Sequence, residues 1–370
     1  MSTRRGPSGR LYGVILAGGR GTRFWPRSRR NNPKQLMKLW GKSSLLRQTV
    51  DRLRPMIPSR DIWVFTNRNL VREVCRQLPD VPRAQIIAEP VQRNTAPCIG
   101  LAAELIAARD PDAVLGVFPS DHLIRKPATF HRVLRLAAKQ ARLGKIVVLG
   151  ISPRWPETGY GYVEFARRPA LAPLRALPVK RFREKPSLAV ARRYLKTQRF
   201  FWNSGMFFWK ASVIREALQR HLPRTAATLA AIRAKVSAPG GAPWKRLPGV
   251  LAELFPACEN ISVDYAVLEK ASQVVGIPCD FGWNDLGTWS AVYDLLPHDD
   301  RQNVLCSETL LIDSSGLLVD VPGKLVAAVG LEDLVVVETK DALLIVRRDQ
   351  TQQISQVVSQ LEKARREELL

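Results

Sequence analysis

LYGVILAGGRGTRFWPRSRRNNPKQ, residues 11 to 35, is the stretch whose reading decides the fold. Leu11, Val14, Ile15 and Leu16 make a short apolar run that reads as a buried strand. Gly18, Gly19 and Gly21 follow, where the backbone can turn tightly and approach a ligand without a Cβ in the way. A loop of this kind, here Leu16, Ala17, Gly18, Gly19, Gly21, Thr22 and Arg23, presents bare N–H groups to phosphate oxygens. Arg20, Arg23 and Lys34 add cations that can clamp a polyphosphate and neutralise charge on a leaving group. Two commoner glycine loops are excluded. A P-loop needs Gly-Lys-Ser/Thr where Gly21-Thr22-Arg23 stands, and a dinucleotide fingerprint needs a glycine at Phe24.

Outside this stretch, short apolar runs alternate with helix-like segments up to about Gly150. Strands are expected at 61–66, 84–88, 113–118 and 145–150, with helices at 44–53, 95–109 and 129–144. Nearly continuous apolar strands alternating with helices predict an α/β fold, a mainly parallel, doubly wound (Rossmann-like) sheet covered on both faces. Ligands of such sheets sit at the carboxyl ends of the strands, where the glycine loop falls. Residues 1–298 are expected to form the catalytic domain. Short strands recurring over 299–349 predict a small β domain, β-helix-like, and 350–370 an amphipathic helix with Ile354, Val357, Val358 and Leu361 on one stripe. The helical region from Ser212 to Phe255 is broken by Pro239-Gly240-Gly241.

The composition narrows the class. With 370 residues, 46% of them hydrophobic, the chain can bury a large core. Its five cysteines are odd in number and lack a CxxC pair, which argues for plain buried thiols in a reducing, cytoplasmic compartment. No apolar run reaches membrane-spanning length, and the basic N-terminus is not followed by a signal-peptide core. The net charge of +24 is dispersed in pairs such as Arg29-Arg30 and Arg192-Arg193 rather than gathered in one arm. It is expected to steer polyanionic small substrates, not to bind a specific nucleic acid.

Gly18-Gly19-Arg20-Gly21-Thr22-Arg23-Phe24-Trp25-Pro26 with Pro33-Lys34-Gln35 resembles the signature of sugar-1-phosphate nucleotidyltransferases. The Trp-Pro plus Pro-Lys-Gln version is similar to the mannose-1-phosphate guanylyltransferase branch. The resemblance continues in order through Arg93-Asn94-Thr95-Ala96-Pro97, Thr158-Gly159-Tyr160-Gly161-Tyr162, Glu184-Lys185-Pro186, Asn203-Ser204-Gly205-Met206-Phe207, Ser262-Val263-Asp264-Tyr265-Ala266-Val267-Leu268-Glu269-Lys270 and Gly282-Trp283-Asn284-Asp285-Leu286-Gly287-Thr288-Trp289. It spans about residues 11 to 290.

What the resemblance implies is specific. The substrates would be GTP and mannose 1-phosphate, with Mg²⁺ held by Asp121, at the end of a strongly apolar strand, and by Asp285. Arg23 and Lys34 would act on the triphosphate. Glu89 and Asn94 would meet the base, although Asn94 or Thr95 can equally cap the following helix. Gly159, Glu164, Glu184, Lys185 and Asn203 would line the sugar-phosphate side. His122 is expected to point away from Asp121, and Tyr265, Val267 and Leu268 to form an apolar packing face. Arg27, Leu36-Met37 and Arg183 depart from the usual pattern, as does Asn284 in the serine position, so another sugar 1-phosphate or base stays open; a non-catalytic homologue that senses GDP-mannose is a further alternative, against which the retention of Lys34, Asp121 and Asp285 speaks. Long members of the family carry an isomerase module for which too few residues remain here, so one activity is expected; a homodimer stays open.

Overall fold

The computed structural model describes residues 9–237 and 243–370; the expected break at Pro239-Gly240-Gly241 lies outside them. The chain divides into two compact units that are not linear segments. The first takes the chain up to Gly18, Thr49–Ser120 and Ile124–Trp283. The second takes Gly19–Gln48, Asp121–Leu123 and Asn284–Leu370.

In chain order the strands are β1 Leu11–Leu16, β2 Ile62–Asn67, β3 Ile86–Glu89, β4 Val114–Pro119, β5 Leu123–Ile124, β6 Ile146–Ile151, β7 Tyr162–Phe165, β8 Leu177–Arg183, β9 Phe200–Lys210 and β10 Val274–Cys279. The helices between them are α1 Leu45–Leu53, α2 Val71–Gln77, α3 Thr95–Ala107, α4 Pro127–Arg142, α5 Leu188–Thr197, α6 Ala211–His221, α7 Pro223–Ser237 and α8 Pro243–Leu254.

The first unit is built on a nine-stranded sheet of order β3-β2-β1-β4-β9-β6-β10-β8-β7. Strands β3, β2, β1 and β4 run parallel, as do β6 and β10. β9 lies antiparallel between β4 and β6, and β7 and β8 are also antiparallel to their neighbours. The sheet is therefore mixed. β9 carries no local mark of direction, because Phe200 to Trp209, apolar but for Asn203, Ser204 and Gly205, is buried on both faces whichever way it runs.

Both faces are covered, as the period-two alternation of side chains requires. Leu115, Val117, Phe207 and Trp209 join the cluster containing α3, α6 and α7 residues Ile99, Leu218 and Leu229. Phe118 turns to the opposite side, with ring centroids 6.5 Å from Phe130 of α4 and 5.6 Å from Phe208. Gly116 is small for this reason, since a Cβ there would lie 2.8 Å from the Phe208 ring. The parallel register brings the carboxyl ends of β1, β3 and β4 to one edge, and with them Gly18, Glu89 and Ser120.

The second unit contains β11 Trp283–Asn284, of which it holds Asn284, the short helix α9 Trp289–Tyr293, strands β12 Val304–Leu305, β13 Thr309–Ile312, β14 Leu318–Asp320, β15 Val326–Val329, β16 Leu334–Glu338 and β17 Leu343–Arg347, and helix α10 Ile354–Lys363. β12, β14 and β16 stack in parallel, β13 pairs in parallel with β15, and β17 closes the larger sheet antiparallel. This is the β-helix-like coil expected from the recurring short strands. Phe24, Trp25, Met37, Leu45 and Leu123 join its core beside Trp289, Val304, Leu318, Val335, Ile354 and Val358. That shared core is why residues 19–48 and 121–123 belong to this unit. Of the expected helical stripe, Ile354 and Val358 are buried while Val357 is exposed. All five cysteines are free thiols; Cys98, Cys258 and Cys279 are buried as expected, while Cys75 is half-buried and Cys306 exposed. Among the described residues no helix is long and apolar enough to cross a membrane.

Candidate active site

In the second unit the glycine loop is shaped around a lysine. Gly21 adopts φ 61°, and a Cβ there would stand 2.5 Å from Lys34 Cβ and 2.8 Å from Lys34 N. Only glycine fits both the left-handed backbone and the contact. Lys34 opens a single 3₁₀ turn after Pro33 and is 6% exposed. Its Nζ donates 2.7 Å to Asp121 Oδ2 and 2.5 Å to the Asp285 carbonyl, and it lies 5.7 Å from the Phe24 ring centroid. A buried ammonium needs such acceptors. Burial works against the Asp121 charge, but the adjacent Lys34 and His122 outweigh it and hold the carboxyl below its ordinary range. His122 does not point away: its Nε2 is 3.8 Å from Asp121 Oδ1. The reason is that the chain bends into β5 directly after Asp121 instead of continuing the extended alternation of β4.

The Asp285 turn is fixed locally. Asn284 Oδ1 accepts from Leu286 N at 2.7 Å and Asp285 Oδ1 from Gly287 N at 3.1 Å. Leu286 is held at φ 49° with its side chain in the core, and a Cβ on Gly287 would lie 2.8 Å from Asp285 Oδ2. Asn284, the departure from the usual pattern, thus supplies the turn's own acceptor. Lys34, Asp121 and Asp285 are brought together. Lys34 reaches Asp285 through its main-chain carbonyl, while the Asp285 carboxylate accepts from Gly287 N; that carboxylate and the one of Asp121, 30% exposed, are each hard oxygen donors of the kind a divalent cation takes when phosphates and water supply its other ligands. Among the described residues no group of three or more His, Cys, Asp or Glu forms a metal cage.

Arg23, in the turn Thr22–Phe24, donates through Nη1 to Gln352 Oε1 at 2.9 Å, and Arg20 pairs with Glu362. Gln35 Nε2 donates 2.9 Å to the Gly19 carbonyl, fixing the loop.

In the first unit the loop begins firmly anchored. Ala17 N donates to Phe65 O at 2.7 Å, the Ala17 carbonyl accepts from Thr66 Oγ1 at 3.1 Å, and the Leu16 carbonyl accepts from Ser120 N at 3.2 Å. Gln92 holds the Gly18 carbonyl. Glu89 is buried, its Oε2 lies 3.4 Å from where a Gly18 Cβ would be, and its Oε1 has no hydrogen-bond partner. Burial pushes its pKa up to about 7, against a small opposing effect of the Cys98 thiol. Asn94 caps α3 at φ 62°, its Oδ1 accepting from Thr95 N at 2.9 Å, while Thr95 Oγ1 accepts from Val263 N at 2.9 Å. The capping role is the one the geometry displays for Asn94.

A second cluster gathers Glu184, Lys185 and Asn203 with Asp264, a residue whose motif reads from sequence as packing. Asn203 Nδ2 donates 3.1 Å to Asp264 Oδ1, Glu269 Oε1 accepts from Glu184 N at 2.9 Å, and Lys185 Nζ lies 3.7 Å from Glu184 Oε1. Burial and then the like charge of Asp264 push Glu184 up to about 7, and burial pushes Asp264 up to about 6. Gly161 makes room, since a Cβ there would sit 2.3 Å from Glu184 Oε2. Asp264 and Glu269 were legible only as part of the motif around Tyr265. That segment folds as a π-helical turn, Asp264–Leu268, which buries Val267 and Leu268 but leaves Tyr265 exposed. Glu164 is not in this group: it is buried among Lys180, Arg181 and Arg199, each within 3.4–3.7 Å. Gly159 N donates to Glu157 Oε1 at 2.8 Å.

An α/β sheet whose first strand runs into a glycine loop at the carboxyl edge of its parallel strands is the architecture of nucleotide-binding α/β proteins. The chain belongs to the nucleotidyl transferase family, whose profile matches residues 12–302, and residues 307–361 match the MannoseP isomerase/GMP-like β-helix domain. It is 40% identical to the xanthan biosynthesis protein XanB of Xanthomonas campestris pv. campestris, over 96% of this chain and 74% of that protein. It is 38% identical to the mannose-1-phosphate guanylyltransferase of Klebsiella pneumoniae, over 97% of this chain and 75% of that protein. A crystal structure from Thermus thermophilus, described as a mannose-1-phosphate geranyltransferase, is 31% identical with a TM-score of 0.82, covering 95% of this chain and 99% of that one.

Proposed function

We propose that this protein transfers GMP from GTP to mannose 1-phosphate, giving GDP-mannose and pyrophosphate. The observation that carries the reading is the cluster of Lys34, Asp121 and Asp285 in a chain 38% identical to a mannose-1-phosphate guanylyltransferase over nearly its whole length.

An oxygen of the sugar phosphate forms a bond to the α-phosphorus, and the bond from that phosphorus to the oxygen bridging to the β-phosphate breaks, so the electron pair leaves with pyrophosphate. The attacking phosphate is ionised at neutral pH, and no general base is needed. Catalysis then rests on alignment and on neutralising the charge carried away by the leaving group. Lys34 and Arg23 are the cations assigned to the triphosphate. Glu89, with one carboxylate oxygen unpartnered, suits the N1 and N2 donors of guanine. Lys185 pairs the sugar phosphate, while Glu184 and Asn203 serve its hydroxyls directly or through Asp264. Asp121 and Asp285 would hold Mg²⁺, which supplies charge neutralisation at the phosphates when bound. Substrates and fold suit a cytoplasmic enzyme.

The test is pyrophosphate release with Mg²⁺ across four NTPs crossed with mannose, glucose, galactose and fucose 1-phosphates. Release with GTP and mannose 1-phosphate alone is expected. Release with another pair changes the substrates, and no release with GDP-mannose still bound would make the chain a sensor.

A further inference from the structure

Five arginines of the glycine loop and the turn after it find their partners far along the chain, within the second unit. Arg27 grips Asp320 with two bonds, Nε to Oδ2 at 3.0 Å and Nη2 to Oδ1 at 2.5 Å. Arg29 Nη2 donates 2.9 Å to Asp341 Oδ1, Arg30 pairs with Glu367, and Arg20 pairs with Glu362. Trp25 Nε1 adds a bond of 2.9 Å to the Leu369 carbonyl. Four of the five arginines therefore have a carboxylate partner. Arg23 differs: among the described residues its side-chain partner is the amide oxygen of Gln352.

The chemical distinction matters. An amide oxygen and a carboxylate oxygen fix a guanidinium equally well in direction, but only the carboxylate cancels its charge. Gln352 lies in the 3₁₀ stretch Arg348–Gln353 that leads into α10, and Glu362 on α10 itself. One short segment thus presents a neutral partner to Arg23 and an anionic one to Arg20. The Arg20–Glu362 pair is open to water, with side-chain exposures of 45% and 33%, so it opens at little cost.

We propose that Gln352 is a positioning residue that aims Arg23 while leaving its charge for a polyphosphate, and that Glu362 competes with phosphate oxygens for Arg20. The segment 348–363 thereby sets the affinity of the glycine loop for the triphosphate. This rests on the reading that Arg20 and Arg23 face the triphosphate, and it extends that reading to residues more than 300 positions away.

The experiment uses the full chain and two charge-altering variants of nearly constant shape, Gln352→Glu and Glu362→Gln. Binding of inorganic tripolyphosphate, which carries neither base nor sugar, is titrated calorimetrically, beside KM for GTP and for mannose 1-phosphate and the thermal midpoint. Gln352→Glu is expected to weaken tripolyphosphate binding and raise KM for GTP roughly tenfold at low salt, an effect that shrinks as salt is added. Glu362→Gln is expected to shift both in the opposite direction by a few fold. KM for mannose 1-phosphate and the melting midpoint should stay put. A merely structural role would lower the midpoint in both variants and move both affinities the same way, which would overturn the proposal. So would either variant failing to shift tripolyphosphate affinity in its stated direction, or the wild-type chain not binding tripolyphosphate. If the substrate pair proves different from GTP and mannose 1-phosphate, the tripolyphosphate titration still decides.

Discussion

Lys34 and Asp121 are 87 residues apart in the chain, yet Lys34 Nζ stands 2.7 Å from Asp121 Oδ2 and is almost sealed from water. Lys34→Ala removes the cation and also the partner that keeps Asp121 ionised at low pH. Turnover is expected to fall by about a hundredfold or more while the circular dichroism spectrum is retained. Asp285→Ala is expected to fall similarly. Near-native kcat in either variant, measured by pyrophosphate release, would remove this cluster from the mechanism.

Gly21 and Gly19 make a paired test of the loop. Gly21→Ala places a Cβ 2.5 Å from Lys34 Cβ on a backbone at φ 61°, and is expected to cost about 1–3 kcal/mol and to displace Lys34. A Cβ on Gly19 meets no atom within 4 Å, so Gly19→Ala should leave the urea midpoint unchanged and raise only KM for GTP, through the approach of the phosphates. Equal stability of the two variants would contradict the packing described.

Glu89 links stability to pH. Its folded pKa of about 7 stands above the ordinary 4.5, so the fold favours the protonated form. The stabilising contribution is complete below about 4.5 and is lost as pH rises through about 7, a difference of the order of 3 kcal/mol. Glu89→Gln should flatten the fall in the urea midpoint between pH 5 and 8. The same variant should narrow the preference for GTP over ATP about tenfold or more, since adenine lacks the adjacent N1–H and N2–H donors that guanine offers to one carboxylate. An unchanged pH profile would sink the first expectation, and unchanged discrimination the second.

Burial first, and then the like charge of Asp264, raise the Glu184 pKa. Asp264→Asn keeps the burial and removes the charge, so it should lower that pKa. The pH at which KM for the sugar phosphate changes should therefore move to lower values, while KM for GTP stays the same. A shift in both constants, or in neither, would separate Asp264 from the sugar-phosphate side.

The opening strand, the glycine loop and the strands at 62–67, 86–89, 114–119 and 146–151 were legible from the residues alone, the four later strands displaced by one or two positions. Continuous apolar runs, glycines at turns and a capping Asn94 act within a few residues of themselves, so a short window contains their cause. The recurring strands after Val304 were legible for the same reason.

Tertiary structure alone decided the rest. The antiparallel insertion of β9 between β4 and β6, the recruitment of 19–48 and 121–123 into the unit of the β coil, and the place of Asp264 depend on which faces meet. Arg20 and Arg23 read from sequence as cations for a polyphosphate and Arg29-Arg30 as part of a dispersed surface charge, and no carboxylate stands near any of these arginines or Arg27 in sequence to suggest a partner. Their partners lie between Asp320 and Glu367, and only the folded chain brings those charges within reach of one another, since an ion pair or a hydrogen bond forms over a few ångströms of space whatever the separation along the backbone.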